Sequence, residues 1–101
     1  MTFVVRLTPS ARRDRDRVLA WYDVEVPDQA ERFIDEFYAA ARRLEGFPYL
    51  GPIVRYQVRR VSLRVFPYHL WYRVREEAGL VQIVAVLHHR QDSSCFEDRL
   101  E

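Results

Sequence analysis

Histidines, a tryptophan and a set of arginines recur at alternate positions in the C-terminal half of the chain. They are Arg60, Ser62 and Arg64, then His69, Trp71, Arg73 and Arg75, then Gln82, Val84, Val86, His88 and Arg90. In extended backbone alternate residues share one face of a sheet, so this spacing gathers them on a single surface. Such a surface can hold phosphate through guanidinium groups and stack a base on Trp71. It also carries what RNA cleavage through a 2′-hydroxyl requires. His69 or His88 would move protons, and Arg60, Arg64 and Arg73 would hold the phosphate. Arginines on a polar sheet face serve equally well as solvated or acid-paired surface, so the pattern by itself does not select catalysis.

Other chemistries are excluded more directly. His88 and His89 are consecutive and point to opposite faces of an ideal strand, and no cluster of acids and histidines with ligand spacing supports them. No metal and no cofactor are expected. Cys95 is alone, which removes disulfide frameworks and cysteine zinc sites and fits a reducing, cytoplasmic setting. Gly46, Gly51 and Gly79 are isolated turn residues, so there is no glycine-rich phosphate loop. The run from Arg12 to Arg17 contains Asp14 and Asp16, which can pair with Arg17 and Arg12 at helical spacing; a solvated, mixed-charge helix face is expected there.

The elements that must position these groups follow from periodicity. The chain has 101 residues, 16 basic and 15 acidic side chains and a net charge of +1, consistent with one domain over residues 1–101. It shows no signal peptide and no run long enough to span a membrane. A near-neutral charge also argues against generic nucleic-acid binding. Phe3–Leu7 is a strand that ends at Thr8-Pro9, a helix N-cap followed by a first-turn proline. Ala11, Val18, Trp21, Tyr22 and Glu25 mark one helical stripe. After Pro27, the residues Ala30, Phe33, Ile34, Phe37, Ala41 and Leu44 mark a second, ending at Gly46 as a left-handed cap candidate.

Beyond Pro48–Pro52 the period becomes two, giving a three-stranded meander near Arg55–Val65, Tyr68–Arg75 and Leu80–His88. Turns at Phe66-Pro67 and Glu77-Ala78 set Val61, Leu63 and Val65 opposite Tyr72, Leu70 and Tyr68, and Leu70, Tyr72 and Val74 opposite Ala85, Ile83 and Val81. One face is then apolar and lies under the two helices. The other holds the arginine and histidine set. The first strand is expected to run antiparallel to the second, and Gln91–Glu101 forms a short tail helix with Phe96 and Leu100 as its apolar contacts. The fold class is α+β.

This order of elements, with Thr8-Pro9 and Ala11 opening the first helix and Pro48–Gly51 after the second, resembles the ParE/RelE toxin superfamily. Phe66-Pro67-Tyr68-His69-Leu70-Trp71-Tyr72-Arg73-Val74 is similar to that family's FPY-x-h-x-Y-R-V strand. Val86-Leu87-His88-His89-Arg90, with Asp92 and Arg99, is similar to its V-h-H-x-R-x-D…R ending. The resemblance implies the toxin of a type II toxin–antitoxin (plasmid-stabilisation) pair, held inactive by a cognate antitoxin. Its ParE-type branch acts on DNA gyrase, and its RelE-type branch cuts mRNA on the ribosome. The Phe66–Val74 segment and the ending are closer to the ParE type. His69 stands where many relatives carry Arg, and no Tyr follows His89, a residue several nucleases of the family use. The ParE-type reading makes Arg60, Arg64, His69, Trp71, Arg73, Val84, Val86, His88 and Arg90 a surface for target or antitoxin, with Val84 and Val86 beside Trp71 as exposed apolar contacts. The RelE-type reading makes Arg60, Arg64, Arg73 and His88 an endoribonuclease site.

Overall fold

The computed structural model describes residues 2–91 and Arg99. The tail helix expected over Gln91–Glu101, with Phe96 and Leu100, lies outside the described residues apart from Gln91 and Arg99. Among the described residues, strand β1 (Val4–Leu7) leads into helix α1 (Pro9–Glu25), α2 (Pro27–Gly46) and strands β2 (Ile53–Arg55), β3 (Val58–Ser62), β4 (Tyr68–Arg75) and β5 (Leu80–His88). They form one five-stranded sheet in the order β1-β5-β4-β3-β2.

The helices begin as their sequence requires. Thr8 Oγ1 accepts the Ala11 N–H at 3.1 Å, and Pro9 supplies the first helical residue, where a missing N–H costs nothing. The α2 stripe of Ala30, Phe33, Phe37, Ala40, Ala41 and Leu44 is buried. Its end differs from expectation. Gly46 stays helical, and the helix closes when Phe47 N–H donates to Arg43 O at 2.9 Å, so no left-handed glycine is used.

The sheet corrects three further expectations. First, the Arg55–Val65 strand is two strands, folded at Tyr56-Gln57, which adopt left-handed φ values of 52° and 62° without glycine or asparagine to announce the turn. Second, β1 pairs in parallel with β5, Val5 beside Val81 and Leu7 beside Ile83. Two antiparallel steps separate β5 from β3, so β1 and β3 run the same way. Third, Val61 lies opposite Leu70 instead of Tyr72, because the β3–β4 connection spans Leu63–Pro67 with Val65 at φ 72°. The slip is by two residues, and an even slip leaves the β3 side chains on their predicted face, whereas Val65, expected on the apolar face opposite Tyr68, is exposed in the connection.

A fourth difference is odd and therefore has larger consequences. Tyr72 pairs with Ile83 and Val74 with Val81 as expected, but a bulge between Trp71 and Tyr72 sets Trp71 opposite Ala85 and Leu70 opposite Val86. One extra residue in β5 reverses the facing of everything after it. Leu63, Leu70, Tyr72 and Ile83 are buried under the helices as predicted, and Val86 joins them. Ala85 and Leu87 move to the other face, where they pack with Val58, Trp71 and Val84.

Candidate functional site

The bulge divides the predicted site. His69 stays on the face away from the helices, its Nδ1 2.9 Å from Ser62 Oγ and its ring edge-on to Trp71 at 6.3 Å. Arg60 lies over the Trp71 ring at 5.5 Å. The imidazole stacked on His69, at 4.2 Å between centroids, belongs to His89 and not to His88. His88 is on the helix side, its ring edge-on to Tyr68 and its Nδ1 accepting the Arg90 N–H at 3.1 Å. There it lines a groove of about 230 Å³ with Arg17, Val18, Trp21 and Tyr68.

The remaining candidates are dispersed. Arg64 is exposed in the β3–β4 connection and Arg90 in the turn after β5. Arg73 is half-buried and donates from Nε to Gln82 Oε1 at 3.3 Å; burial, and then the charge of Arg75, lower its pKa. The expected exposed apolar contacts are closed off: Trp71, Val84 and Val86 are all buried. Both faces of this sheet are packed, so a position on the second face does not imply exposure.

Electrostatics decide the state of His69. Burial, followed by the fields of His89 and Arg60, lowers its pKa to about 4, because a buried imidazolium loses hydration and gains two basic neighbours. At neutral pH it is uncharged and can only accept or donate a hydrogen bond as the free imidazole. Among the described residues no three His, Cys, Asp or Glu side chains converge as metal ligands. None of the described helices is long and apolar enough to cross a membrane.

Asp14 and Arg99 form a centre that the expected solvated helix face did not include. Asp14 is 2% exposed. Its carboxylate accepts the Val86 N–H at 3.0 Å and Arg99 at 2.8 and 3.3 Å, with Arg17 at 3.6 Å; Arg99 also donates to Val84 O at 3.2 Å. The reason lies in the sheet. The β1 ladder on β5 stops at Leu7 beside Ile83, and the backbone groups of Val84 and Val86 beyond it need other partners. The signal was present in the sequence: Asp14 stands three residues after Ala11 and four before Val18, on the apolar stripe rather than opposite it.

The architecture is a helical hairpin packed on one face of a sheet that β1 joins by a parallel edge, and comparison with known proteins gives its class. The ParE toxin family of type II toxin–antitoxin systems (parDE) matches residues 5–93, and the chain belongs to that family. It is a type II toxin of the ParE kind within the ParE/RelE superfamily. A solved chromosomal ParDE toxin–antitoxin structure from P. aeruginosa superposes with a TM-score of 0.74 at 20% identity, over 86% of this chain and 96% of that one. The toxin–antitoxin complex RelBE2 from Mycobacterium tuberculosis superposes with a TM-score of 0.60 at 24% identity, over 87% and 99%. At these identities the likeness is one of fold. No curated protein matches the sequence.

Proposed function

We propose that this chain acts in the cytoplasm as a toxin that inhibits DNA gyrase by binding it, and that a cognate antitoxin neutralises it. The observation that supports binding over bond cleavage is the division of the candidate nuclease set. His88 lies on the opposite side of the sheet from Arg60 and Arg73; of the two histidines stacked together on their face, His69 is uncharged at neutral pH and His89 stands outside that set. The histidine of the expected nuclease set and its phosphate-binding arginines are therefore not brought together. Because Trp71, Val84 and Val86 are buried, the antitoxin's apolar contacts are reassigned to the groove beside Trp21, which is 52% exposed on α1.

Expressed without its antitoxin, the protein should cause filamentation and DNA damage, inhibit gyrase in a supercoiling assay and leave mRNA intact. Single changes at Arg60, Arg64 or His88 should weaken toxicity gradually, as in an interface. Trp21→Glu should retain toxicity and lose neutralisation. Ribosome-dependent mRNA cuts, lost in His88→Ala or Arg64→Ala but kept in Arg12→Ala, would replace this reading with the endoribonuclease one; removal of a proton-transfer group typically costs a factor of about 10²–10⁴.

A further inference from the structure

The net charge of +1 conceals an uneven distribution. From Phe47 to Arg75 the chain carries Arg55, Arg59, Arg60, Arg64, Arg73 and Arg75 and not one acid, so the acidic side chains that balance them lie elsewhere. Three of these arginines meet at one cavity. Strand β4 runs on to Arg75, whereas its neighbour β3 begins only at Val58, opposite Arg73 by continuation of the ladder, and the notch left beside Val74 and Arg75 opens as a pocket of about 330 Å³. Arg59, Arg73 and Arg75 line it together with Tyr49 and Tyr56.

The walls are fixed by the protein itself. Tyr49 Oη donates to Glu76 Oε1 at 2.7 Å, a bond that raises the pKa of the phenol and keeps it neutral, and Arg59 lies over its ring at 5.0 Å. Arg59 is held in turn, donating to Gly51 O at 2.7 Å, while the Gly51 N–H donates to Tyr72 Oη at 2.9 Å. Gly51 has no room for a side chain, since a Cβ there would collide with Arg60 O. Tyr56 and Gln57, which also line the cavity, hold left-handed φ values of 52° and 62°, strain of the kind that folds keep where a side chain must be placed, and Arg55 backs the Tyr56 ring at 4.9 Å. The charge is unbalanced as well. Among the described residues neither Arg59 nor Arg75 forms an ion pair, Glu76 is taken up by Tyr49, and Arg75 acts on half-buried Arg73 as a like charge that, after burial, lowers its pKa. An anion held between Arg73 and Arg75 would relieve that repulsion.

We propose that this notch binds a nucleotide, with its phosphates on Arg73 and Arg75 and its base stacked on Tyr56. The two arginines stand two residues apart on one strand, about 6.6 Å along it, which suits the several oxygens of a diphosphate better than a single carboxylate. A phenol backed by a guanidinium offers a base its π-face without selecting which base it is. The volume is near the lower limit for a small-molecule site, about 300 Å³, and so admits one nucleotide. The cavity lies at the Arg75 end of β4, whereas the Trp21 groove and the His69 cluster lie at its Tyr68 end, so the inference rests on neither gyrase inhibition nor antitoxin binding. A nucleotide free in solution and one carried in a single strand present the same base and phosphate, and the experiment separates them.

The test uses the purified chain and the fluorescent nucleotide mant-ADP. Its anisotropy should rise saturably, and unlabelled ADP should displace it at concentrations about tenfold lower than adenosine or pyrophosphate, because only ADP carries both recognised parts. In calorimetry Arg75→Glu should weaken ADP and pyrophosphate alike, about tenfold, whereas Tyr56→Ala should weaken ADP by a similar factor and leave pyrophosphate unchanged. Arg12→Ala, on α1, should alter neither. Arg75 and Tyr56 are both exposed, and circular dichroism checks that each variant is folded. An oligothymidine about eight nucleotides long that displaces mant-ADP more readily than thymidine diphosphate does would identify a single strand as the source of the nucleotide; displacement by mononucleotides alone would identify the free ligand. No saturable binding, binding indifferent to both Arg75→Glu and Tyr56→Ala, or pyrophosphate displacing mant-ADP as well as ADP does would overturn the proposal, the last result leaving only a general anion patch.

Discussion

The two faces of the sheet are both dry, yet they are sealed by different chemistry. On the helix side, Phe33, Phe37, Leu44, Leu70, Tyr72 and Ile83 are fully buried against one another, with no charge within the cluster. On the other side, Val58, Trp71, Val84, Ala85 and Leu87 are equally buried, but Arg60, His69 and His89 lie against Trp71 or against each other at its margin. On the first face burial raises the pKa of Tyr22, Tyr68 and Tyr72. On the second it lowers that of His69, which couples this face to pH in the acid range. Asp14 joins the two, because its carboxylate on α1 holds the backbone of β5 where the facing of that strand reverses.

The largest effect is expected on the helix side. Leu70→Ala removes a fully buried side chain from the middle of the core and should cost about 4 kcal/mol in urea or guanidinium denaturation. A loss under about 1 kcal/mol would place Leu70 outside the cooperative core. The link between the faces comes next. Asp14→Ala leaves the Val86 N–H and the Arg99 guanidinium without their carboxylate and should cost about 3 kcal/mol, less than a fully enclosed pair because Arg99 remains partly exposed. Arg99→Ala should add little in the Asp14→Ala background; additive losses would mean that the two residues act separately.

The second face should respond to pH. The native pKa of His69, about 4, lies below the ordinary value of 6.5, so the unfolded chain binds the proton more readily. Its contribution is complete above pH 6.5 and is lost as pH falls toward 4, by about 1–2 kcal/mol once solvent screening is included. His69→Gln should flatten that part of the stability profile, while Leu70→Ala should shift the whole curve without changing its slope. An unchanged slope in His69→Gln would show that the second face is no more proton-sensitive than the first.

The smallest effect is at Val65, a β-branched residue held at φ 72° and 82% exposed. Relief of that strain is opposed by the backbone entropy of glycine, so Val65→Gly should raise stability by about 0.5–1 kcal/mol. A loss on substitution would mean that the Val65 side chain stabilises the connection despite its exposure.

Much of this architecture was legible in the residues. Thr8-Pro9 opens α1 because a hydroxyl can cap a free N–H and proline needs none, and the α2 stripe repeats at the pitch of a helix; both are interactions within a few residues of one another. The assignment of Leu63, Leu70, Tyr72 and Ile83 to the helix side survived a two-residue slip because strand facing depends only on parity. The site was less legible for the same reason. A single bulged residue in β5 exchanges His88 for His89 and Val86 for Ala85, and alternation cannot reveal an insertion that keeps every residue apolar: Val84, Ala85, Val86 and Leu87 read alike on either face. Asp14 was misread because charge favours a solvated helix face, while its burial depends on a β5 backbone 72 residues away that loses its β1 partner. Local hydrogen bonding and periodicity, which act between near neighbours, were determined by the sequence itself. Which strand edge runs out of partners, and which side chain crosses space to satisfy it, only the tertiary structure decided, because unpaired backbone groups arise only when distant strands have met.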